Sequence, residues 1–101
     1  MILFNTTFNI DPDIESQWII WARDVYFTSA LDSGFVQKHH LLSLRYELEN
    51  SGRTFSLQLF FESDAHFEEY IKKHEGAVMD DLAKRFGSNV VYFQTILDVM
   101  I

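Results

Sequence analysis

The chain has 101 residues, no cysteine and a net charge of −7, from 15 acidic and eight basic side chains. Apolar residue types make up 48% of it, which excludes an intrinsically disordered chain because disorder requires low hydrophobicity. The length predicts a single domain over residues 1–101. The acidic balance argues against a nucleic-acid partner, whose phosphates require clustered lysine and arginine. The lack of cysteine excludes a disulfide scaffold and favours a reducing compartment.

The sequence predicts no membrane segment, because a membrane span requires about 20 mostly apolar residues. The densest apolar stretch, from Trp18 to Leu31, is interrupted by Arg23 and Asp24. Met1 is followed by neither a basic region nor the long apolar run of a signal peptide. We therefore expect a cytoplasmic protein.

The start of the chain predicts a strand followed by a helix. Residues 2–10 (ILFNTTFNI) alternate in polarity, which is the period of a half-buried strand. Asp11 can cap a helix, and Pro12 fits its first position. Apolar residues then recur at three- and four-residue steps, as on one helix face, up to Gly34, a suitable helix end in the left-handed conformation.

The middle of the chain predicts two strands joined by a turn. Residues 35–48 form a long second strand candidate, and residues 54–62 form a third. The sequence Asn50-Ser51-Gly52 between them is a turn signal. Strict alternation predicts that one face of the second strand carries Gln37, His39, Leu41, Ser43, Arg45 and Glu47.

A second helix and a last strand complete the pattern. Ser63 can cap the helix, Gly87 should end it, and Gly76 inside it predicts a bend or a close contact. Residues 89–99 alternate as a fourth strand. Each acid–base pair at spacing four on the outer helix face is worth about 0.3–0.5 kcal/mol. These pairs are Glu68–Lys72, Glu69–Lys73, Asp80–Lys84 and Asp81–Arg85.

The order β-α-β-β-α-β predicts an α+β, ferredoxin-like fold, with a four-stranded antiparallel sheet and two helices on one of its faces. The other face, here called the open face, is left uncovered. Its predicted members, which include His39, Leu41 and Ser43 of the second strand, mix polar, aromatic and apolar side chains, which suits a surface that meets a partner or encloses a polar cavity. The candidate cavity or dimer-interface residues are His39, Arg45, Gln58, Phe60, Tyr92 and Gln94.

Several segments resemble those of a known superfamily. They are ILFNTTFNI, the WIIW of Trp18–Trp21, KHHLLSL, EEYIKKH, and the KRFG of Lys84–Gly87. The whole chain resembles the dimeric α/β-barrel superfamily, and within it is similar to an uncharacterised bacterial family of about this length. The resemblance implies a homodimer in which two sheets pack open face to open face. The superfamily includes cofactor-independent monooxygenases, haem-degrading enzymes and small-molecule sensing domains, so the fold alone does not choose an activity.

The candidate chemistry is sparse. The sequence contains no nucleophile motif, phosphate loop, dinucleotide fingerprint or zinc-ligand spacing, so we predict neither a metal nor a bound cofactor. His39 and His40 are neighbours on a strand and should point to opposite faces, so they cannot share a metal unless a bulge intervenes. If Arg45 faced inward, it would need a carboxylate such as Glu47 or Glu62, or an anionic ligand.

These residues allow three hypotheses about function: a binding module, an enzyme and a haem-handling protein. The first is a homodimeric binding or interaction module that holds a small organic ligand. The second is a cofactor-independent monooxygenase-like enzyme in which His39, Arg45, Gln58 and Tyr92 surround a cavity at the open face. That enzyme requires the four side chains to converge on one point. A haem-handling protein would need an accessible histidine ligand, for which His39 is the candidate.

Overall fold

The chain folds as a four-stranded antiparallel sheet with two helical segments packed on one face. The structure is a computed structural model that describes residues 1–48 and 51–101. The strands are β1 (Ile2–Ile10), β2 (Val36–Ser43), β3 (Arg53–Phe61) and β4 (Val90–Asp98), in the sheet order β2-β3-β1-β4. The predicted βαββαβ order and fold class are confirmed.

Each helical segment is interrupted by a π-helical turn. The first segment comprises a 3-10 turn (Pro12–Ile14), α1 (Glu15–Trp21), a π-helical turn (Ala22–Phe27) and α2 (Thr28–Asp32). The second comprises α3 (Asp64–Tyr70), a π-helical turn (Ile71–Glu75) and α4 (Gly76–Phe86), and a 3-10 turn (Gly87–Asn89) leads into β4. A π-helical turn widens the helix locally, so side chains five positions apart come to share a face.

The predicted helix ends are confirmed. The Asp11 carboxylate accepts a hydrogen bond from the backbone N–H two residues on, at 2.9 Å. The Ser63 hydroxyl accepts one from the N–H three residues on, at 3.2 Å. Gly34 and Gly87, which end the two segments, have φ of 81° and 55°. These positive values favour glycine because a side chain is strained there.

The outer face of the second segment differs in part from its prediction. Of the four predicted ion pairs, Glu69–Lys73 and Asp81–Arg85 form at 2.7 Å, and within the described residues the other two do not. Gly76 does not mark a close contact, because a Cβ built there would meet nothing within 4 Å. The irregularity that its position predicts is the π-helical turn that ends immediately before it.

Strand β2 ends at Ser43, well before the predicted residue 48. Leu44 still donates its backbone N–H to the Thr54 carbonyl at 2.9 Å. The backbone N–H of Thr54, however, donates to a carboxylate oxygen of Glu47 at 2.6 Å. A side chain thus replaces the strand partner and ends the pairing. In the predicted turn, Asn50 lies outside the described residues, and Gly52 has a φ of 78°.

A β-bulge at Gln37 reverses the predicted faces of β2. Val36 pairs with Phe61, yet Lys38 pairs with Phe60, the next residue of β3, so Gln37 is the extra residue. Directly paired residues share a face, and one inserted residue moves all later side chains to the opposite face. The sequence-based placement on the open face is therefore wrong for His39, Leu41 and Ser43, which face the helices, whereas Lys38, His40 and Leu42 lie on the open face.

The predicted faces of β4 are also wrong. Tyr92 pairs with Phe8, and Gln94 pairs with Thr6. Phe8 and Thr6 are fully buried beneath the helices, so Tyr92 and Gln94 lie on the helix side and not on the open face. The open face of β4 instead carries Val91, Phe93, Thr95 and Leu97.

The core lies between the sheet and the helical segments, and Phe8 is at its centre. The Phe8 ring lies 5.2 Å from the ring of Trp18, 5.6 Å from Tyr92, and 6.3 Å from Trp21 and from Tyr26, measured between centroids. Trp18 and Trp21 are both buried, so they are core residues of the first helical segment. Aromatic side chains bury large apolar areas, and they dominate this core.

Candidate functional site

A groove runs along the helix side of β4, next to the second helical segment. It has a volume of about 460 Å³, within the range of small-molecule sites. Its walls are mainly apolar, and it is lined by Phe4, Phe67, Glu68, Ile71, Lys72, Glu75, Gln94 and Ile96.

The groove exists because the helices leave β4 uncovered. On the helix side of the sheet, Phe4 of β1 is 2% exposed. Ile96, its paired neighbour on β4, is 60% exposed. The second helical segment therefore covers the central strand and stops short of the edge strand, which leaves an apolar channel between them.

One end of the groove is polar. The side-chain amide of Gln94 on β4 donates a hydrogen bond at 2.9 Å to a carboxylate oxygen of Glu75, the last residue of the second π-helical turn. This bond connects the edge strand with the helix across the groove. It uses a donor of Gln94 and leaves that side chain's carbonyl oxygen and the second Glu75 oxygen able to accept further hydrogen bonds.

Two buried tyrosines lie behind this polar end. Tyr26 and Tyr70 are 1% and 0% exposed, and within the described residues the Tyr70 hydroxyl has no hydrogen-bond partner. Burial raises the pKa of both phenols well above the usual value, and the Thr6 hydroxyl near Tyr26 lowers the pKa of Tyr26 in part. Both groups are therefore neutral donors.

The two π-helical turns position these polar groups. Tyr26 lies in the first turn, five residues after Trp21, and their rings pack 5.8 Å apart. Glu75 ends the second turn, five residues after Tyr70. Such turns occur frequently at functional sites. Here the first turn holds Tyr26 in the core, and the second holds Glu75 within hydrogen-bond distance of Gln94 on β4.

The buried tyrosines predict an alkaline limit to stability. Because folding raises both pKa values above about 10, the unfolded chain loses protons first as the pH rises. The free energy of unfolding should fall above about pH 10, by up to about 1.4 kcal/mol per pH unit for each tyrosine. Denaturant titrations of the Tyr26→Phe, Tyr70→Phe double variant should show a shallower fall, while Tyr46→Phe, at an exposed position, should match the unaltered chain. Equal slopes in all three proteins would contradict the assignment.

The structure does not bring the predicted candidate residues together. Gln58 and Phe60 lie on the open face of β3. His39 and Tyr92 lie on the helix side, at the two opposite edges of the sheet. Arg45 is exposed in the bend after β2.

An oxygenase site built from His39, Arg45, Gln58 and Tyr92 therefore has no common point. His39 instead packs its ring against Phe27, 4.7 Å away, at the edge farthest from the groove. A haem bound by His39 would not occupy the groove. Gln94 is the one predicted candidate that lines it, and sequence reasoning missed Glu75 and Tyr70.

The open face has a polar centre and apolar margins. At the centre, the Asn5 amide donates to the hydroxyls of Thr7 at 3.1 Å and Thr95 at 3.3 Å, and its oxygen accepts from Ser56. The margins carry Leu42 on the β2 side and Val91, Phe93 and Leu97 on the β4 side. Phe60 is buried beneath Lys38, whose ammonium lies 4.5 Å from the ring centroid.

The described residues contain neither a metal-binding cluster nor a membrane-spanning helix. Over residues 1–48 and 51–101, no three His, Cys, Asp or Glu side chains are grouped closely enough to hold a metal ion. Over the same residues, no helix is sufficiently long and apolar to cross a membrane.

Comparison with known proteins shows the family and the fold. The family model described as "Domain of unknown function (DUF4286)" matches residues 1–100. No curated protein sequence matches the chain.

Among solved structures, an ethyl tert-butyl ether (ethd) family protein from Bacillus halodurans is similar with a TM-score of 0.73 and 11% identity, covering 99% of this chain and 100% of that one. A dimeric ferredoxin-like protein from an uncultured marine organism has a TM-score of 0.66 and 12% identity, covering 99% and 94%. SnoaB, a cofactor-independent oxygenase from Streptomyces nogalater, has a TM-score of 0.57 and 12% identity, covering 99% and 93%. At these identities the likeness shows the fold alone. With the match over residues 1–100, the chain belongs to the DUF4286 family, and its fold is ferredoxin-like.

Proposed function

We propose that the protein is a homodimeric binding module, in which two open faces pack together and each groove holds a small organic molecule. The groove carries this proposal, because a concave, mainly apolar site with a few convergent polar groups is the usual form of a small-molecule site. Groove and open face lie on opposite sides of the sheet, so dimer formation leaves the groove accessible.

The open face supports self-association by its chemistry. Val91 and Phe93 are each 62% exposed, and Leu97 and Leu42 are also exposed on the same face. The three β4 side chains form an exposed apolar row, which is typical of an interaction surface, and Leu42 lies at the opposite margin. At the polar centre, Asn5 already satisfies hydrogen bonds with Thr7, Thr95 and Ser56, whereas Gln58 and His40 on the same face remain able to bond across an interface.

The size and relief of the open face also suit a second copy. Four strands of eight or nine residues cover about 19 by 28 Å, or about 530 Å² in projection, which is about two thirds of the ~800 Å² that each partner buries in a standard interface. Two shallow hollows, of about 280 and 270 Å³, flank Thr7 and Thr54 toward one end of the face. A two-fold pairing could insert the side chains of one face into the hollows of the other. The marine ferredoxin-like neighbour is itself described as dimeric.

The geometry supports binding better than oxygenation. SnoaB is described as a cofactor-independent oxygenase, but the four side chains that the sequence nominates for such chemistry do not converge. The groove provides instead apolar walls and a hydrogen-bonded polar end, which can hold and orient a ligand.

Toluene, a small neutral apolar molecule, tests the groove. In methyl NMR spectra, the signals of Ile71 and Ile96 should shift as toluene is added, because both side chains line the groove. Ile96→Asp, which places a charge in the wall, should weaken binding by about tenfold or more. Ile20→Asp makes the same change at an exposed site outside the groove and should leave binding unaltered. Shifts absent from Ile71 and Ile96, or equal affinities in both variants, would refute the groove as the binding site.

A further inference from the structure

The polar end of the groove accepts hydrogen bonds and carries negative charge. Three charged side chains line the groove, namely Glu68, Lys72 and Glu75, which leaves an excess of one negative charge. Glu68 and Lys72 are exposed, whereas Glu75 is half-buried. The deepest charge is therefore a carboxylate.

Glu75 has a neutral partner. Its described hydrogen bond comes from the Gln94 amide at 2.9 Å, and the ion pairs of the described residues do not include it. A half-buried carboxylate is stabilised by a cation or by further donors, because its remaining oxygen lone pairs are partly removed from water. The Gln94 carbonyl oxygen lies on the same side chain and adds another acceptor.

The buried phenols behind the groove do not supply a positive charge. Tyr26 and Tyr70 are buried, and the Tyr26 hydroxyl is near that of Thr6. Neither tyrosine lines the groove. They are neutral groups, so they do not compensate the carboxylate. A positive charge at this end would have to enter through the groove.

We propose that the groove binds an apolar molecule with a primary ammonium head group, held between Glu75 and Gln94 while its hydrocarbon part contacts Phe4, Phe67 and Ile96. An ammonium supplies three donors, and the two side chains supply the free acceptors. A hydrogen bond to a carboxylate is charge-assisted and about twice as strong as a neutral one, and a cationic donor adds the attraction between opposite charges. This inference rests on the proposed binding function and adds the class of ligand.

Three probes of one skeleton test the class. 2-Phenylethylamine, 2-phenylethanol and phenylacetate differ in their head groups, which are cationic, neutral and anionic. NMR titration should give an order of affinity that falls from the amine through the alcohol to the carboxylate, with about a tenfold difference between amine and alcohol. In Glu75→Gln, the amine should lose about tenfold in affinity, and the alcohol, which has no ionic attraction to the carboxylate, should lose clearly less.

Asp80→Asn is the matched control, because it removes the same charge from an exposed position of α4 outside the groove. It should leave all three affinities as they are, which separates a local contact from the effect of net charge. If no probe shifts the groove signals, both the binding function and the ligand class are refuted. If the probes bind with equal affinity, or phenylacetate binds most tightly, or Glu75→Gln leaves the amine unaffected, the ligand class alone is refuted.

Discussion

Replacing Phe93 with aspartate should convert a dimer into monomers at micromolar concentration. Phe93 is 62% exposed at the apolar margin of the open face, between Val91 and Thr95 on β4. In a two-fold interface each substitution occurs twice. Loss of a buried aromatic anchor costs about 2 kcal/mol or more per copy, so the dissociation constant should rise by about 1,000-fold. Sedimentation velocity over a concentration series measures this change.

Ile20→Asp is the control for the Phe93 variant. Ile20 is similarly exposed, but it belongs to α1 and lies on the helix side of the molecule. It should leave the dissociation constant unchanged. Circular dichroism would establish that Phe93→Asp keeps its fold, as expected for a largely exposed position. A folded Phe93→Asp protein that remains dimeric would show that the open face is not the interface.

Replacing Phe8 with alanine should produce the largest loss of stability. Phe8 is fully buried, and its ring packs against Trp18, Trp21, Tyr26 and Tyr92. Phenylalanine-to-alanine changes in a core cost about 3–5 kcal/mol, because apolar contact is lost and a cavity remains. Small domains are stable by about 5–15 kcal/mol, so this loss would move the denaturation midpoint strongly.

Tyr46→Ala provides the comparison for Phe8→Ala in the same urea titration. Tyr46 is 82% exposed in the bend after β2, so its removal should change stability by about 0.5 kcal/mol or less. A Phe8 variant with a loss below about 1 kcal/mol would contradict the central position of this ring in the core.

The sequence predicts a strand and its faces well where only one face of the strand is buried. In β1 every second residue is buried, from Ile2 to Ile10, so the alternation gives both the bounds and the faces correctly. The caps at Asp11 and Ser63 are equally local signals and are confirmed.

The faces of the edge strands could not be predicted in this way. In β2, Gln37 is an ordinary residue in the sequence, yet as the bulge it moves His39 and its successors to the opposite face. In β4, apolar residues occur on both faces, because an uncovered edge strand has no single buried side. The alternation of residues 89–99 therefore predicts that a strand is present, but it does not predict which face of the strand turns toward the helices.

The polar end of the groove could not be predicted from the sequence, because π-helical turns interrupt the regular three- and four-residue spacing of the helices. The spacing of three and four residues describes regular helix, whereas Tyr26 and Glu75 are oriented by π-helical turns in which a spacing of five matters. Trp21 with Tyr26, and Tyr70 with Glu75, have this spacing. Such pairs also occur by chance in any helix, so the spacing alone could not have identified the site.

Sedimentation equilibrium of the full chain at micromolar concentration is the most direct test of the account. The proposal that the open faces pack together predicts a mass of about twice the 11.9 kDa of the single chain. A mass of one chain, with the fold intact by circular dichroism, would contradict it.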